Sequence, residues 1–225
     1  MFSAELPVLH AITSDDIIVR GDLVASALGI MHAGGPRVAV HLRSSQLGAR
    51  AFARLAEQLA AEQAASGARL VINDRVDVAR AVGAWGVQLT TRSLRVADAR
   101  RIAPALVVGA SVHGVTDAVV AEREGAAWVV AGHVFDTPSH RDEAGRGDAF
   151  VREVCGRVSV PVVAIGGITP ARVAAVMAAG ARGIAAIRGA WGDSADAASQ
   201  ACHDYLSAHD AALGRRGDDR PDHQR

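Results

Sequence analysis

The sequence of 225 residues is poor in cysteine and has no excess charge of either sign. Its two cysteines, Cys155 and Cys202, are far apart and form no CxxC motif. This argues against a disulfide framework or a zinc site and favours reduced thiols with a structural role. The 24 Lys and Arg residues are balanced by 24 Asp and Glu residues. A basic surface that binds nucleic acid is therefore not expected.

The sequence also lacks a long apolar run. No stretch approaches the roughly 20 apolar residues that a membrane helix needs. The N-terminus has no basic flank followed by an apolar segment, which a secretory signal would require. The sequence therefore predicts a cytoplasmic protein with no membrane partner.

Short hydrophobic runs rich in Val and Ile recur along the chain. There are eight of them: VLHAIT (8–13), RVAVHL (37–42), RLVI (69–72), GVQL (86–89), LVVGAS (106–111), WVVAGH (128–133), PVVAIG (161–166) and GIAAIR (183–188). Such runs are typical of parallel strands covered on both faces, and alanine-rich segments with helical spacing separate them. The pattern predicts an α/β fold, a single-domain (β/α)8 TIM barrel over 1–206, with an open doubly wound sheet as the alternative. The charged segment 207–225 is predicted to be a disordered tail.

In a TIM barrel the functional residues gather where the strands end, because the loops there converge over the barrel mouth. The seventh run ends in Gly166 and Gly167, just before a helix start at Thr169, and the eighth ends in Arg188 and Gly189. Exposed backbone N–H groups at a helix start favour an anion, so these two strand ends predict a phosphate site. The alternative is that the glycines only form a tight turn and that Thr169 caps a helix.

Histidine is the side chain best suited to proton transfer near neutral pH. His113 follows a strand end, where its side chain can reach across the mouth, and it is the candidate general acid/base. His10 and His41 lie within apolar runs and are expected to be packed in the core. The long loop GHVFDTPSHRDEAGRGD could be a ligand loop, and its His140, Arg141 and Arg146 could instead be solvated charges.

Several motifs together resemble one family. LHAIT, INDRVDVA (72–79), GVQL, SVH, AGHVFDT with GRG, and PVVAIGGITP are similar to the thiamine phosphate synthase superfamily, most closely to its thiazole tautomerase (TenI) branch. The resemblance runs from about residue 8 to 192. It implies an isomerase that moves one proton across the ring of a thiazole phosphate carboxylate, with His113 of SVH as the catalytic group and with no cofactor or metal.

The resemblance also implies a pocket for the phosphorylated thiazole. Gly166, Gly167, Arg188 and Gly189 would hold the phosphate, and Arg43 or Arg188 would pair with the carboxylate. The remaining expected pocket residues are Arg43, Asn73, Gln88, Ser111, His133 and Thr137. The alanine-rich helix over 49–65 could pack in a homodimer or face solvent.

Two other functions stay open. In the superfamily's synthases, which join a pyrimidine pyrophosphate to a thiazole phosphate, carboxylates hold Mg²⁺ and a lysine-arginine set holds pyrophosphate. Asp74 could be one Mg²⁺ ligand, but Thr90-Thr91-Arg92-Ser93 replaces the turn that carries the second carboxylate. Arg43 is kept, whereas Ser45 and His140 stand where the synthases have lysine. The third candidate is a regulatory protein that binds thiazole or thiamine phosphates without catalysis.

Overall fold

The computed structural model describes residues 6–137 and 143–218, and the side chains as far as residue 214. Eight parallel strands form a closed barrel in which each strand pairs with its neighbour in sequence and β8 returns to β1. The strands are β1 Leu9–Ile12, β2 Val38–Leu42, β3 Arg69–Asn73, β4 Gly86–Leu89, β5 Val107–Val112, β6 Trp128–Ala131, β7 Val162–Ile165 and β8 Gly183–Ala186. The predicted (β/α)8 barrel is confirmed.

Helices surround the barrel. They are α1 Asp15–Ile18, α2 Leu23–Gly34, α3 Ala49–Ala61, α4 Gln63–Ser66, α5 Val76–Ala81, α6 Val96–Ile102, α7 Val115–Arg123, α8 Gly147–Cys155, α9 Val173–Ala178, α10 Arg188–Trp191 and α11 Ala195–Asp218, with 3-10 turns at Gly35–Arg37 and Pro170–Arg172. In α3 the buried residues are Phe52, Ala56 and Leu59, whose spacing places them on one helix face towards the sheet. In the described ranges, no helix combines the length and the apolarity needed to cross a membrane.

The last helix corrects one prediction. A disordered tail was expected from residue 207, but α11 continues to Asp218. His209 and Ala212 are buried on it, four and seven residues after the buried Tyr205 and therefore on the same helix face. Packing of this face, mainly against α2, outweighs the charged composition that suggested disorder. Residues 219–225 of the predicted tail lie outside the described residues.

The barrel interior contains an unusual polar pair. His10 and His41 are completely buried, and Nδ1 of His10 lies 2.7 Å from Nε2 of His41. The other ring nitrogen of His10 is 3.1 Å from the carbonyl oxygen of Pro7. Burial lowers the pKa of His10 to about 4 and lowers that of His41 well below its usual value. Both rings are therefore neutral at pH 7 and packed in the core, as the sequence predicted.

Trp128 fills the barrel beside this pair. It is fully buried, and its ring stacks on Trp85 with centroids 5.4 Å apart. The indole fits because residue 109 on the neighbouring strand is glycine. A Cβ atom on Gly109 would lie 2.1 Å from Cε2 of Trp128, far inside van der Waals contact.

Candidate functional site

The carboxyl ends of the strands surround a cavity of about 220 Å³ at the barrel mouth. Its walls are mainly apolar, and most of the predicted pocket residues line it. The lining includes Arg43, Asn73, Gln88, Ser111, His113, His133, Thr137 and Gly166, together with Ile12, Thr90, Val112, Val130, Gly132, Ile165 and Ile187. Side chains from strands distant in sequence thus meet in one place, as the strand-end rule predicts.

A second cavity of about 350 Å³ adjoins the first at the ends of β7 and β8. It collects the four residues predicted to hold phosphate: Gly166, Gly167, Arg188 and Gly189. The two cavities share Thr137, Ile165, Gly166 and Ile187, so one ligand can extend through both.

Backbone geometry explains the two glycines after β7. Gly166 and Gly167 have φ values of +106° and +61°, in the region that favours glycine. A Cβ atom on Gly166 would lie 2.4 Å from Cβ of His133, and one on Gly167 would lie 2.5 Å from the carbonyl oxygen of Asp136. The loop after β6 therefore packs directly on this turn and leaves no room for a side chain.

Sequence reasoning missed two residues that support the loop after β7. Arg172 lines the second cavity, donates from Nη1 to the carbonyl of Gly167 at 2.8 Å, and stacks its guanidinium 4.7 Å from the Phe135 ring centroid. Tyr205 on α11 donates to the carbonyl of Ile168 at 2.8 Å. Burial raises the pKa of Tyr205 to about 12, so the phenol keeps the proton that it donates.

The sequence held only part of the signal for these two residues. Arg172 falls within the first turn after the Thr169-Pro170 helix start, so its position could have been noticed. The contact of Tyr205 joins segments 37 residues apart and has no local motif.

His113 follows β5 and is exposed at the mouth. Its backbone N–H donates to Oδ2 of Asp117 at 3.2 Å, and Nη1 of Arg146 donates to its carbonyl oxygen. The guanidinium of Arg146 in turn packs over the ring of Phe150, 3.4 Å from its centroid. Within the described residues the imidazole of His113 has no hydrogen-bond partner. Its backbone is thus fixed while its ring is available to a ligand.

His133 has a different environment. Only 8% of it is exposed, and its Nε2 lies 3.2 Å from the carbonyl oxygen of Glu143. Together with His113 and Arg146 it lines a smaller cavity next to the mouth. His133 is therefore part of the pocket wall, where the sequence placed it. His140 and Arg141, from the same loop, lie outside the described residues.

Two buried amides supply polar groups on the floor of the mouth. Gln88 donates from Nε2 to Oγ of Ser111 at 3.0 Å. Oε1 of Gln88 is buried without a hydrogen-bond partner in the described structure, whereas the Asn73 side chain interacts with the ring of His41. Because buried polar atoms are usually paired, the Gln88 acceptor indicates where an N–H or O–H group of a ligand could bind.

Arg43 is placed by the end of β1. The Thr13 hydroxyl donates to the carbonyl of Arg43 at 2.7 Å and accepts from its N–H at 2.8 Å. The same edge carries Asp15, which accepts from Ser44 at 2.7 Å and from the backbone N–H of Ser45 at 2.9 Å. Hydrogen bonds from the two serines lower the pKa of Asp15 to about 2. This carboxylate therefore organises the loop after β2.

Asp74 fastens a different loop. Its φ of 62° is unusual for a residue other than glycine. Its Oδ1 accepts from the backbone N–H of Thr90 at 3.0 Å, from the Thr90 hydroxyl at 2.9 Å, and from the Ser93 hydroxyl. In the part of the chain that the structure describes, no three His, Cys, Asp or Glu side chains are grouped to hold a metal ion. Asp74 is thus hydrogen-bonded to Thr90 and Ser93 in the loop after β4.

Comparison with known proteins gives consistent relatives. The sequence profile of the thiamine monophosphate synthase family matches residues 9–190. The thiamine-phosphate synthase of Methanoculleus marisnigri is 40% identical over 201 residues, covering 88% of this chain and 94% of that protein. That of Methanoregula boonei is 42% identical over 182 residues, covering 80% and 83%. A solved structure, thiamine phosphate pyrophosphorylase from Pyrococcus furiosus, has a TM-score of 0.80 and 30% identity, covering 92% of this chain and 97% of that one.

These relatives correct the functional prediction. The superfamily is confirmed, but the prediction of a thiazole tautomerase, and with it of an isomerase, is wrong, because the relatives are named synthases, which are transferases. SVH and GHVFDT were interpreted as markers of the tautomerase branch. In the structure His113 and His133 simply line the mouth, a position that does not distinguish between the two reactions.

Proposed function

Because the chain belongs to the thiamine monophosphate synthase family, we propose that it is a transferase of the thiamine-phosphate synthase type. The reaction would join a phosphorylated thiazole to a pyrimidine pyrophosphate and release pyrophosphate. Similarity to named synthases over 88% of the chain is the observation that carries this proposal. The two adjoining cavities support it, since the reaction brings two phosphorylated heterocycles together.

The thiazole phosphate would bind with its phosphate in the cavity at the ends of β7 and β8. Gly166, Gly167 and Gly189 line that cavity, and backbone N–H groups at this turn would bind the phosphate. Arg188 is half-exposed, and its only carboxylate neighbour in the described residues is Asp16 at 3.7 Å, a weak surface pair. Its guanidinium can therefore turn to the phosphate at little cost.

The two rings would meet in the mouth cavity. Its apolar walls favour flat heterocycles, and the free acceptor of Gln88 suits a ring substituent that carries an N–H group. Ser111 completes this polar floor through its hydrogen bond to Gln88. Thr137 would lie between the two ligand ends, since it borders both cavities.

Arg43 and His113 would serve the pyrimidine pyrophosphate. Both line the mouth and have cationic or proton-donating side chains without a partner in the described structure. The C–O bond between the pyrimidine portion and the pyrophosphate breaks, and the thiazole forms a bond to the same carbon. Negative charge therefore grows on the pyrophosphate oxygen that leaves. A proton donated by His113, with Arg43 as a fixed cation, would stabilise that charge.

The Mg²⁺ that the family resemblance implies does not fit the residues present. A hard divalent cation prefers several oxygen ligands, commonly carboxylates. Here Asp74 accepts three hydrogen bonds on one oxygen, and threonine and serine replace the second carboxylate. The chain also contains no lysine, so arginine and histidine are its only cationic side chains. No step of the proposed reaction is assigned to a metal.

The direct test is to incubate the protein with thiazole phosphate and pyrimidine pyrophosphate and to measure thiamine phosphate by mass spectrometry. Arg188→Ala should raise the KM for thiazole phosphate by about tenfold or more, because a charge-assisted contact is lost, with little effect on the KM of the pyrimidine. His113→Ala should lower kcat by about 10²–10⁴-fold. Arg157→Ala replaces an exposed arginine two residues after the end of α8; it is the control and should match the wild type.

A second candidate is a protein that binds these ligands without joining them. The carboxylate missing from the loop after β4 favours it, because that position is filled by residues that cannot ligate a cation strongly. If calorimetry shows that thiazole phosphate binds and no thiamine phosphate is formed, the protein is a binding protein and the transferase proposal is wrong.

A further inference from the structure

A separate cavity of about 440 Å³ lies at the amino-terminal end of the barrel, opposite the mouth. It is lined by Leu6, Val8, Pro36, Arg37, Arg69, Arg182, His209, Asp210 and Leu213. None of these residues borders the mouth cavities. Whatever binds here is therefore distinct from the proposed substrates' site.

Positive charge in this cavity is only partly balanced. Arg37 forms a two-pronged ion pair with Asp210, one contact of which is 3.1 Å. Arg69 and Arg182 have no carboxylate partner in the ranges that the structure describes. Nε of Arg69 is buried without a hydrogen bond, and the guanidinium lies 5.8 Å from the Trp85 ring centroid. Three arginines thus face one aspartate, which leaves two cations to attract an anion.

His209 gives independent evidence of a missing partner. Only 2% of it is exposed, and it lines the cavity from α11. Its Nδ1 lies 3.5 Å from Oδ1 of Asp210, and neither Nδ1 nor Nε2 makes a hydrogen bond among the described residues. A buried imidazole is normally hydrogen-bonded at its ring nitrogens. A group bound in this cavity would supply a partner that the ring lacks.

We propose that this cavity binds a small organic phosphate. The guanidinium groups of Arg69 and Arg182 suit phosphate oxygens, because their N–H groups form a planar fork. His209 would add one hydrogen bond to the same group. Leu6, Val8 and Leu213 form an apolar wall on which the organic part of the ligand would pack.

The test is calorimetric titration of the full chain, at low ionic strength, with inorganic phosphate and with phenyl phosphate. The full chain is used, since Leu6 of the cavity wall lies close to the amino terminus. The wild type should bind two equivalents of phenyl phosphate, one at the mouth and one at the opposite end. In the cavity at the amino-terminal end, phenyl phosphate should bind more tightly than inorganic phosphate, because the apolar wall contacts the phenyl ring. The titration requires neither turnover nor the proposed substrates.

Matched variants separate the two sites. Arg182→Ala should weaken the site at the amino-terminal end by about tenfold or more and leave the mouth site unchanged, whereas Arg188→Ala should do the reverse. Arg182→Lys keeps the charge and loses the planar fork, so it should give intermediate affinity. Arg182 is exposed, and thermal unfolding of each variant should match the wild type. Phenyl phosphate binding that Arg182→Ala leaves unchanged would overturn the proposal, as would inorganic phosphate binding as tightly as phenyl phosphate at this site. A single equivalent that Arg182→Ala weakens would contradict only the phosphate site at the mouth.

Discussion

Acidification to pH 5 should destabilise the barrel, because His10 and His41 are held neutral inside it. The pKa of His10 is about 4 in the folded chain and 6.5 when solvated. Between these values the unfolded chain binds a proton that the folded chain excludes, so stability is retained above pH 6.5 and falls as the pH falls towards 4. For His10 alone the loss at pH 5 is about 2 kcal/mol. The lowered pKa of His41 adds to it.

The assay is urea unfolding, followed by circular dichroism, at pH 7.5 and pH 5.0. At pH 5 the carboxylates contribute little, since even Asp15, with a pKa of about 2, changes stability only below its unfolded value of 3.8. His10→Gln should remove about 2 kcal/mol of the difference between the two pH values. His203→Gln replaces an exposed histidine on α11 and should retain the full difference. Equal stability of the wild type at both pH values would refute the reasoning.

Three further substitutions test the packing around the site by the same unfolding measurement at pH 7.5. Gly109→Ala should lower the free energy of unfolding by about 1–3 kcal/mol, because the added methyl group would collide with Trp128. Gly48→Ala is the control and should be nearly neutral, since its methyl group would meet no atom within 4 Å. Equal effects of the two substitutions would contradict the packing. Asp74→Ala should cost about 1.5–3 kcal/mol through lost hydrogen bonds to a charged group, and Asp74→Asn less, since asparagine keeps an acceptor and tolerates positive φ. Tyr205→Phe should lower the free energy of unfolding by about 1 kcal/mol. An unchanged stability would mean that its hydrogen bond to the loop after β7 contributes nothing.

The strands could be predicted closely because a parallel barrel buries both strand faces. The run 8–13 corresponds to Leu9–Ile12, and the run 106–111 corresponds to Val107–Val112. The end of α11 was missed for the opposite reason. Eight of the 19 residues in 207–225 are Asp or Arg. The buried face of α11 nevertheless includes Tyr205, Leu206, His209 and Ala212 at helical spacing. A few apolar contacts on one face were enough to extend the helix past residue 207.

The candidate site was predictable where position along a strand fixes direction. Asn73, Gln88 and Ser111 lie at or near strand ends, and all three line the mouth. Arg172 and Tyr205 were not predicted, because their roles depend on packing between a helix and the loop after β7. Arg146 was left undecided between a solvated charge and a ligand contact. It supports the backbone of His113, a role visible only once the loop after β6 is folded against β5.

The error over the reaction type has a physical origin in the same motifs. Gly166 and Gly167 are demanded by positive φ and by contacts of 2.4 and 2.5 Å that a Cβ atom would make, whether or not phosphate binds. GHVFDT contributes the loop that creates those contacts. Motifs of this kind therefore report how the mouth is built. The reaction depends instead on groups that the fold leaves without a partner, such as the acceptor of Gln88 and the ring of His113. Their ligands must be identified by binding and turnover, because the same empty positions suit more than one phosphorylated heterocycle.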